Sequence, residues 1–180
     1  MDEGVTDKLG APNAPKHDSA APTEFPTLLT ARSRSVAPKL VIGIGNPSRG
    51  DDALGPELLE RLRALTLSDV DLVEDFQLQP EHALDLVGRE EVIIVDADAS
   101  GVAPFRFSPV IPDGDRGVST HALSPGVLLD IYRRVVAAPM PPTWVLAIRG
   151  YSFELGAPLS DQARANLDAA VALLAGRFVA

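Results

Sequence analysis

Five side chains able to bind a metal ion lie in three separate segments of the sequence. Asp51 and Asp52 follow a glycine-rich stretch, Asp96 and Asp98 follow an apolar run, and His121 lies further along the chain. Carboxylate and imidazole groups together suit a borderline divalent cation such as nickel or zinc. Two carboxylates and one imidazole also leave coordination positions open, as a site that handles an exchanging metal requires. The residue types therefore favour a carboxylate–histidine metal site.

The glycine-rich stretch does not match a nucleotide-binding loop. A dinucleotide fingerprint that starts at Gly43 requires a glycine where Ser48 stands, and a phosphate P-loop requires a Gly-Lys-Ser/Thr sequence that the chain lacks. Asp51 and Asp52 lie where a phosphate would meet the start of a helix, and their charges would repel it. We therefore expect no nucleotide. Structural roles stay open for both residues, because Asp51 could cap the helix and Asp52 could favour its positive end.

Asp96 and Asp98 resemble the aspartates of phosphatases that use an aspartate nucleophile. That chemistry needs a lysine to balance the phosphoaspartate, and the last lysine of the chain is Lys39, upstream of every candidate loop. The sequence motifs of serine hydrolases, zinc proteases and aspartic proteases are absent as well. Any hydrolysis at this site would therefore follow an unusual mechanism.

Composition limits the function classes further. The chain contains no cysteine, which excludes disulfides, thiolate nucleophiles and cysteine metal sites and fits a reducing cytoplasm. Its formal net charge of −9 disfavours nucleic acid as a partner. No apolar run approaches the ~18 residues of a membrane span. We expect a cytoplasmic monomer that binds neither nucleic acid nor a membrane.

The candidate ligands fall near the ends of predicted strands. Apolar strand runs alternate with segments of helical periodicity, which predicts a three-layer α/β/α domain with a mostly parallel central sheet of about five strands. Strands are predicted at 40–45, 70–76, 92–96, 105–111 and 143–148, and helices at 53–65, after Pro80, at 124–136 and at 160–178. Ligands of such sheets bind outside the carboxyl ends of the strands. The three segments therefore meet if the first and third strands are near neighbours.

Residues 1–38 differ from the rest of the chain. They are rich in proline, alanine, threonine and serine, and they show no sustained helical or strand period. Such a segment buries too little apolar surface to offset its ordering entropy. We predict a disordered tail over 1–38 and a single domain over 39–180.

Three motifs resemble those of the proteases that mature nickel–iron hydrogenases. They are GIGNPSRGDDALG at 43–55, VDA at 95–97 and STH at 119–121. Their spacing and the order of strands and helices also agree, and the resemblance covers roughly residues 39–178. Two positions depart from the pattern, because Asp52 stands where many relatives have glutamate and Thr120 where they often have proline.

The resemblance implies an endopeptidase of phosphorylase/hydrolase-like fold that removes a C-terminal peptide from the nickel-loaded precursor of a hydrogenase large subunit. By motif position, the metal ligands are Asp52, Asp96 and His121, and Asp52 and Asp96 are also catalytic. Nickel is presented by the substrate, and cadmium or zinc could replace it in vitro. The attacking group is open between a metal-polarised carbonyl, a metal-bound water and a carboxylate acting as general base. A non-catalytic chaperone that senses nickel in the precursor would use the same ligands.

Residues 74–86, EDFQLQPEHALDL, resemble the subgroup that serves soluble, NAD-reducing hydrogenases. We expect Asn46 and Asp51 of the first motif, and Gln77 and Glu81 of this stretch, to contact the substrate. Loop polarity and helix capping are equally good explanations of Gln77 and Glu81. His82 in the same stretch is expected to face solvent or the precursor and not the metal.

Overall fold

The structure is a computed structural model that describes Met1 and residues 36–113 and 123–179. Its strands are β1 (Lys39–Ile44), β2 (Val70–Asp75), β3 (Glu91–Asp98), β4 (Phe105–Pro109) and β5 (Thr143–Arg149). They form one sheet in the spatial order β2-β1-β3-β5-β4. Neighbouring strands are parallel from β2 to β5, and β4 runs antiparallel to β5 at the edge.

Helices cover both faces of this sheet. They are α1 (Leu54–Arg63), α2 (His82–Asp85), α3 (Pro125–Val135) and α4 (Asp161–Val179). Helices α1 and α4 share one apolar cluster through residues such as Leu58 and Leu167. Helices α2 and α3 share a second cluster on the opposite face through residues such as Ala83 and Leu129. The predicted three-layer arrangement is confirmed. None of these four described helices has the length and apolar character needed to cross a membrane.

Strands β1 and β3 are adjacent, as the predicted site requires. Val41 and Ile93 contribute to the cluster on one face of the sheet, and Ile42 and Ile94 contribute to the cluster on the other. Burial on both faces explains why these strands read as continuous apolar runs. The register aligns Gly43 with Val95, so the loops that follow β1 and β3 begin at the same edge of the sheet.

Two predicted elements are shorter than expected. Strand β4 ends at Pro109, where the prediction continued to Ile111. The N–H of Val110 still donates to the carbonyl of Thr143 at 2.8 Å, and Pro112, which has no N–H, follows shortly after. Helix α2 has only four residues. The chain after it reaches Gly88 with φ of 76°, a left-handed conformation that terminates helical segments.

The residues just before β1 are hydrogen-bonded to the rest of the domain. Arg89 Nη1 donates to the carbonyl of Ala37 at 2.7 Å, and Glu90 N donates to the carbonyl of Pro38 at 2.7 Å. Most of the predicted tail, residues 2–35, lies outside the described residues. Deleting residues 1–36 keeps both contacts, so we expect the shortened protein to unfold in one cooperative thermal transition, measured by circular dichroism. A broad, non-cooperative transition would show that residues 1–36 stabilise the domain.

Candidate functional site

Asp52 is held by the loop between β1 and α1. The backbone N–H of Asn46 donates to Asp52 Oδ2 at 3.1 Å, and the Asn46 side chain in turn accepts from Ser48 N at 2.9 Å. Gly45, with φ of 140°, allows the two ends of the loop to approach closely. Any other residue would place a Cβ 1.9 Å from the Asp52 carbonyl oxygen. A 3-10 turn (Gly50–Ala53) then leads into α1. The half-buried Asp52 carboxylate therefore has a fixed position at the carboxyl edge of β1.

Asp51, the neighbouring carboxylate, lies in the interior with 0% of its surface exposed. It accepts hydrogen bonds from Tyr151 N at 2.6 Å, Ser152 N at 3.0 Å, Ser160 N at 2.7 Å and Ser160 Oγ at 2.7 Å. Burial raises the pKa of Asp51, but these bonds outweigh burial and hold the pKa below its usual value. The expectation that Asp51 contacts the substrate does not fit this burial, because a peptide cannot reach a carboxylate whose acceptor positions all face the interior.

Asp51 belongs to a seam between two loops, formed by residues 45–53 and 150–160. Arg49 Nε donates to the carbonyl of Phe153 at 3.0 Å, Gly50 N donates to the carbonyl of Ala157 at 3.1 Å, and Gly156 N donates to the carbonyl of Ser48 at 2.8 Å. Ser160 has two roles, because its hydroxyl donates to Asp51 at 2.7 Å and also caps the start of α4 by accepting from Ala163 N at 3.2 Å. The sequence interpretation did not include the loop after β5, although that strand also ends at the ligand-binding edge.

Asp96 lies at the carboxyl end of β3 with its side chain exposed to the site. Partial loss of water contacts raises the pKa of this carboxyl, and the bond from Ala97 N at 2.8 Å opposes the rise. The negative charges of Asp52 and Asp98 add to the rise and bring the pKa of Asp96 to about 6. The Asp52 and Asp96 carboxylates therefore form an electrostatically coupled pair whose repulsion a cation would relieve.

The coupling can be measured by carboxyl-carbon NMR in the metal-free protein. We expect the titration midpoint of Asp96 to lie near pH 6, well above the ordinary pH of about 4 for an aspartate. Asp52→Asn should lower that midpoint, because it removes a neighbouring negative charge. A wild-type midpoint near 4, or a midpoint that ignores the Asp52 substitution, would contradict the coupled pair.

Asp98 is engaged in a turn of its own. Its Oδ1 accepts from Ser100 N at 2.9 Å and from Gly101 N at 2.8 Å, and the bond from Ser100 N is the largest cause of a lowered pKa. The bonds fold the chain back after β3. Asp98 therefore shapes the site and contributes charge to it, whereas Asp96 faces it.

The predicted ligand set is only partly covered by the described residues. Asp52 and Asp96 come together at one edge of the sheet, and His121 lies outside the described residues. Within 36–113 and 123–179, no three histidine, aspartate or glutamate side chains are grouped closely enough to hold a metal ion. The carboxylates of Asp52 and Asp96 supply two oxygen ligands of the kind that divalent cations bind.

His82 differs from its expected environment, because the residue is only 6% exposed where a side chain facing solvent or the precursor was predicted. Its Nδ1 accepts from Gln79 N at 2.9 Å, and its Nε2 lies 3.5 Å from Asp75 Oδ2. These contacts fasten α2 to the end of β2. His82 is therefore a structural residue.

A pocket of about 430 Å³ opens beside Asp96. Its lining combines aliphatic residues such as Ile44, Leu78 and Val145 with polar residues that include Gln77. Of the remaining predicted substrate contacts, Glu81 is exposed at the start of α2 and Asn46 is half-buried beside Asp52. A substrate that reaches Asp96 would therefore meet Gln77 in the same pocket.

Comparison with known proteins identifies relatives of this fold. No family model matches the sequence, and no curated protein matches it. Among solved structures, the [NiFe] hydrogenase maturation protease HycI from Thermococcus kodakarensis KOD1 is 24% identical, covers 80% of this chain and 94% of its own, and gives a TM-score of 0.61. The fold is that of the hydrogenase maturation proteases.

Two further structures agree with this result. The hydrogenase maturating endopeptidase HybD from E. coli is 22% identical over 76% of this chain and 88% of its own, with a TM-score of 0.61. The hydrogenase 2 maturation peptidase of a Thaumarchaeota archaeon is 24% identical over 77% of this chain and 96% of its own, with a TM-score of 0.56. The same architecture thus recurs in bacterial and archaeal proteins whose sequences differ widely from this one.

Proposed function

We propose that this protein is an endopeptidase that removes a C-terminal peptide from the nickel-loaded precursor of a nickel–iron hydrogenase large subunit. The coupled pair of Asp52 and Asp96 carries the proposal, because it lies at the carboxyl edge of adjacent strands in a fold shared with hydrogenase maturation proteases. Ligand sites of open α/β sheets lie at this edge. The net charge of −9 adds to the attraction for a cationic centre.

In the proposed reaction, the nickel belongs to the substrate. Asp52, Asp96 and His121 bind it as the precursor docks, and this contact fixes the adjoining peptide bond beside the pocket. In this reaction, a carboxylate oxygen of Asp96 that does not bind the nickel takes the proton from the attacking water. The protein would thus cut only precursors that already contain the metal.

The direct test is incubation of the purified protein with nickel-loaded and nickel-free precursor, followed by mass analysis of the large subunit. We expect shortening of the loaded precursor alone. A side-by-side comparison of precursors of NAD-reducing and of other hydrogenases tests the preference for the NAD-reducing type that the resemblance of residues 74–86 implies. Stable binding of the loaded precursor without shortening would indicate a nickel-sensing chaperone instead.

The role of His121 can be tested by metal binding without any precursor. Nickel or cadmium affinity should fall as pH decreases, because protons compete at His121, with a pKa near ~6.5 for an ordinary histidine, and at Asp96. His121→Gln should weaken binding at pH 8, where both groups are deprotonated, and should leave the Asp96 part of the pH dependence. His17→Gln, in the proline-rich segment, is the matched control. Unchanged affinity of His121→Gln at pH 8 would exclude His121 as a ligand.

A further inference from the structure

One row of side chains crosses the pocket beside Asp96. The register aligns Asp96 of β3 with Ala147 of β5, and Ala147 with Arg106 of β4. Aligned residues on neighbouring strands point to the same face, and strands lie about 4.8 Å apart, so the backbones at Asp96 and Arg106 are separated by about 10 Å. Ala147 lies between them, and its small side chain leaves the space above it open. All three residues line the pocket.

The next row of the sheet forms a floor of two aliphatic residues and one serine for this space. Ile94, Val145 and Ser108 are aligned in the same way, one step toward the interior, and they also line the pocket. Leu78 and Leu123 form side walls. The space between the two charged residues therefore suits an aliphatic side chain.

Arg106 is the basic residue of this pocket. Among the described residues that line it, no other lysine, arginine or histidine occurs, and within 36–113 and 123–179 Arg106 forms no ion pair shorter than 4.0 Å. Its charge contributes to the lowered pKa of Asp98, but no guanidinium nitrogen of Arg106 lies within 4.0 Å of an Asp98 carboxylate oxygen. The exposed guanidinium therefore remains able to bind a further carboxylate, for which its geometry is suited.

We propose that this pocket determines which precursor is cut, by binding an aliphatic side chain above Ala147 and a carboxylate at Arg106. The inference rests on the proposed function, which places the scissile bond at Asp52 and Asp96. The backbones at Asp96 and Arg106 are about 10 Å apart, and an extended chain advances about 3.3 Å per residue. Because the long arginine side chain shortens this distance, the carboxylate of the substrate should lie two or three residues from the scissile bond. The substrate class is thus a nickel-bearing precursor with an aliphatic residue and an acidic group next to its cleavage site.

The test is charge reversal between Arg106 and the precursor. With nickel-loaded native precursor, Arg106→Gln should lower kcat/KM at least tenfold and Arg106→Glu should lower it further. A precursor whose acidic residues within three positions of the cleavage site are replaced by lysine should be cut poorly by wild type and better by Arg106→Glu. Ala147→Leu fills the pocket and should slow cleavage of both precursors. Arg134→Gln, an exposed arginine near the far end of α3, is the matched control and should retain wild-type kcat/KM.

The outcomes separate this inference from the proposed function. Wild-type cleavage together with unchanged kcat/KM in both Arg106 variants would overturn the inference and leave the proposed function intact, as would a cleavage site with no acidic group within three residues. Two groups can supply the carboxylate, an acidic side chain or the chain terminus of the precursor. A glycine extension after the last residue of the precursor lowers cleavage only if the chain terminus binds Arg106. If charge reversal does not restore cleavage and the extension does not lower it, Arg106 only balances the charge of Asp98. A wild-type protein that leaves loaded precursor intact removes both proposals.

Discussion

Replacing either Asp52 or Asp96 with alanine should abolish processing of the nickel-loaded precursor while the domain stays folded. Each change removes a carboxylate that faces the site and is not part of the apolar core, so the strands and helices keep their packing. We expect a loss of at least about 100-fold in rate, the order of magnitude associated with a positioned acid–base group. The measurement is the rate of precursor shortening by mass analysis, with folding checked by circular dichroism.

The effect on stability has a defined sign for Asp96. Its pKa of about 6 in the folded protein lies above the value of 3.8 for an ordinary aspartate, so the folded state binds more protons between these values. The folded protein therefore loses stability as pH rises through this interval, and above about pH 6 the full penalty of the charged group is present. Asp96→Ala should therefore be at least as stable as wild type at pH 7. At pH 4 the penalty in wild type is largely absent, so the stability of the variant relative to wild type should be lower than at pH 7.

Conservative variants separate charge from position. Asp52→Asn removes the charge and should behave like Asp52→Ala. Asp52→Glu keeps the charge and should therefore retain more activity than Asp52→Asn. The added methylene displaces the carboxylate from the N–H of Asn46, which donates to Asp52 Oδ2 at 3.1 Å in wild type. Asp69→Asn, at the opposite end of the sheet, is the matched control and should process at the wild-type rate. A folded Asp52→Ala or Asp96→Ala protein with the wild-type rate would exclude that residue from the reaction.

The layered fold and the meeting of Asp52 with Asp96 could be predicted from the sequence, because both depend on strong local patterns. The runs around Ile42 and Ile94 are apolar at every position, which only a strand buried on both faces requires. Such strands occupy the centre of the sheet. The residues immediately after them are therefore brought to one edge, whatever the details of the loops.

The roles of Asp51 and His82 could not be predicted, because their partners are set by tertiary structure. Tyr151 N is 100 residues from Asp51 along the chain, and no motif marks the loop to which it belongs. The local sequence around Asp51 is equally typical of a helix cap or a substrate contact. His82 is predicted to face solvent or the precursor, whereas in the structure its ring accepts a hydrogen bond from Gln79 N and is buried near Asp75 at the end of β2. The pKa of Asp96 likewise depends on charges that meet only in the folded chain.

The largest expected loss of stability follows Asp51→Ala. This change leaves the N–H groups of Tyr151, Ser152 and Ser160 and the Ser160 hydroxyl without their shared acceptor in the interior. An unsatisfied buried donor costs about 1–3 kcal/mol, so we expect the free energy of unfolding to fall by about 3–5 kcal/mol after partial relaxation and water entry. That is a large part of the roughly 5–15 kcal/mol that stabilises a typical domain. The measurement is urea unfolding at pH 7, with the midpoint reduced.

The pH dependence and the partner variant make the prediction specific. Because the pKa of Asp51 is lowered in the folded protein, its stabilisation is complete above the unfolded value of 3.8 and is lost as pH falls through the folded value. The difference between wild type and Asp51→Ala should therefore shrink in strong acid. Ser160→Ala removes one of the four bonds and the cap of α4, and should cost about 2 kcal/mol. If Asp51→Ala instead unfolds like wild type but no longer cuts the precursor, Asp51 acts on the substrate, and the seam between the loops at 45–53 and 150–160 does not stabilise the domain.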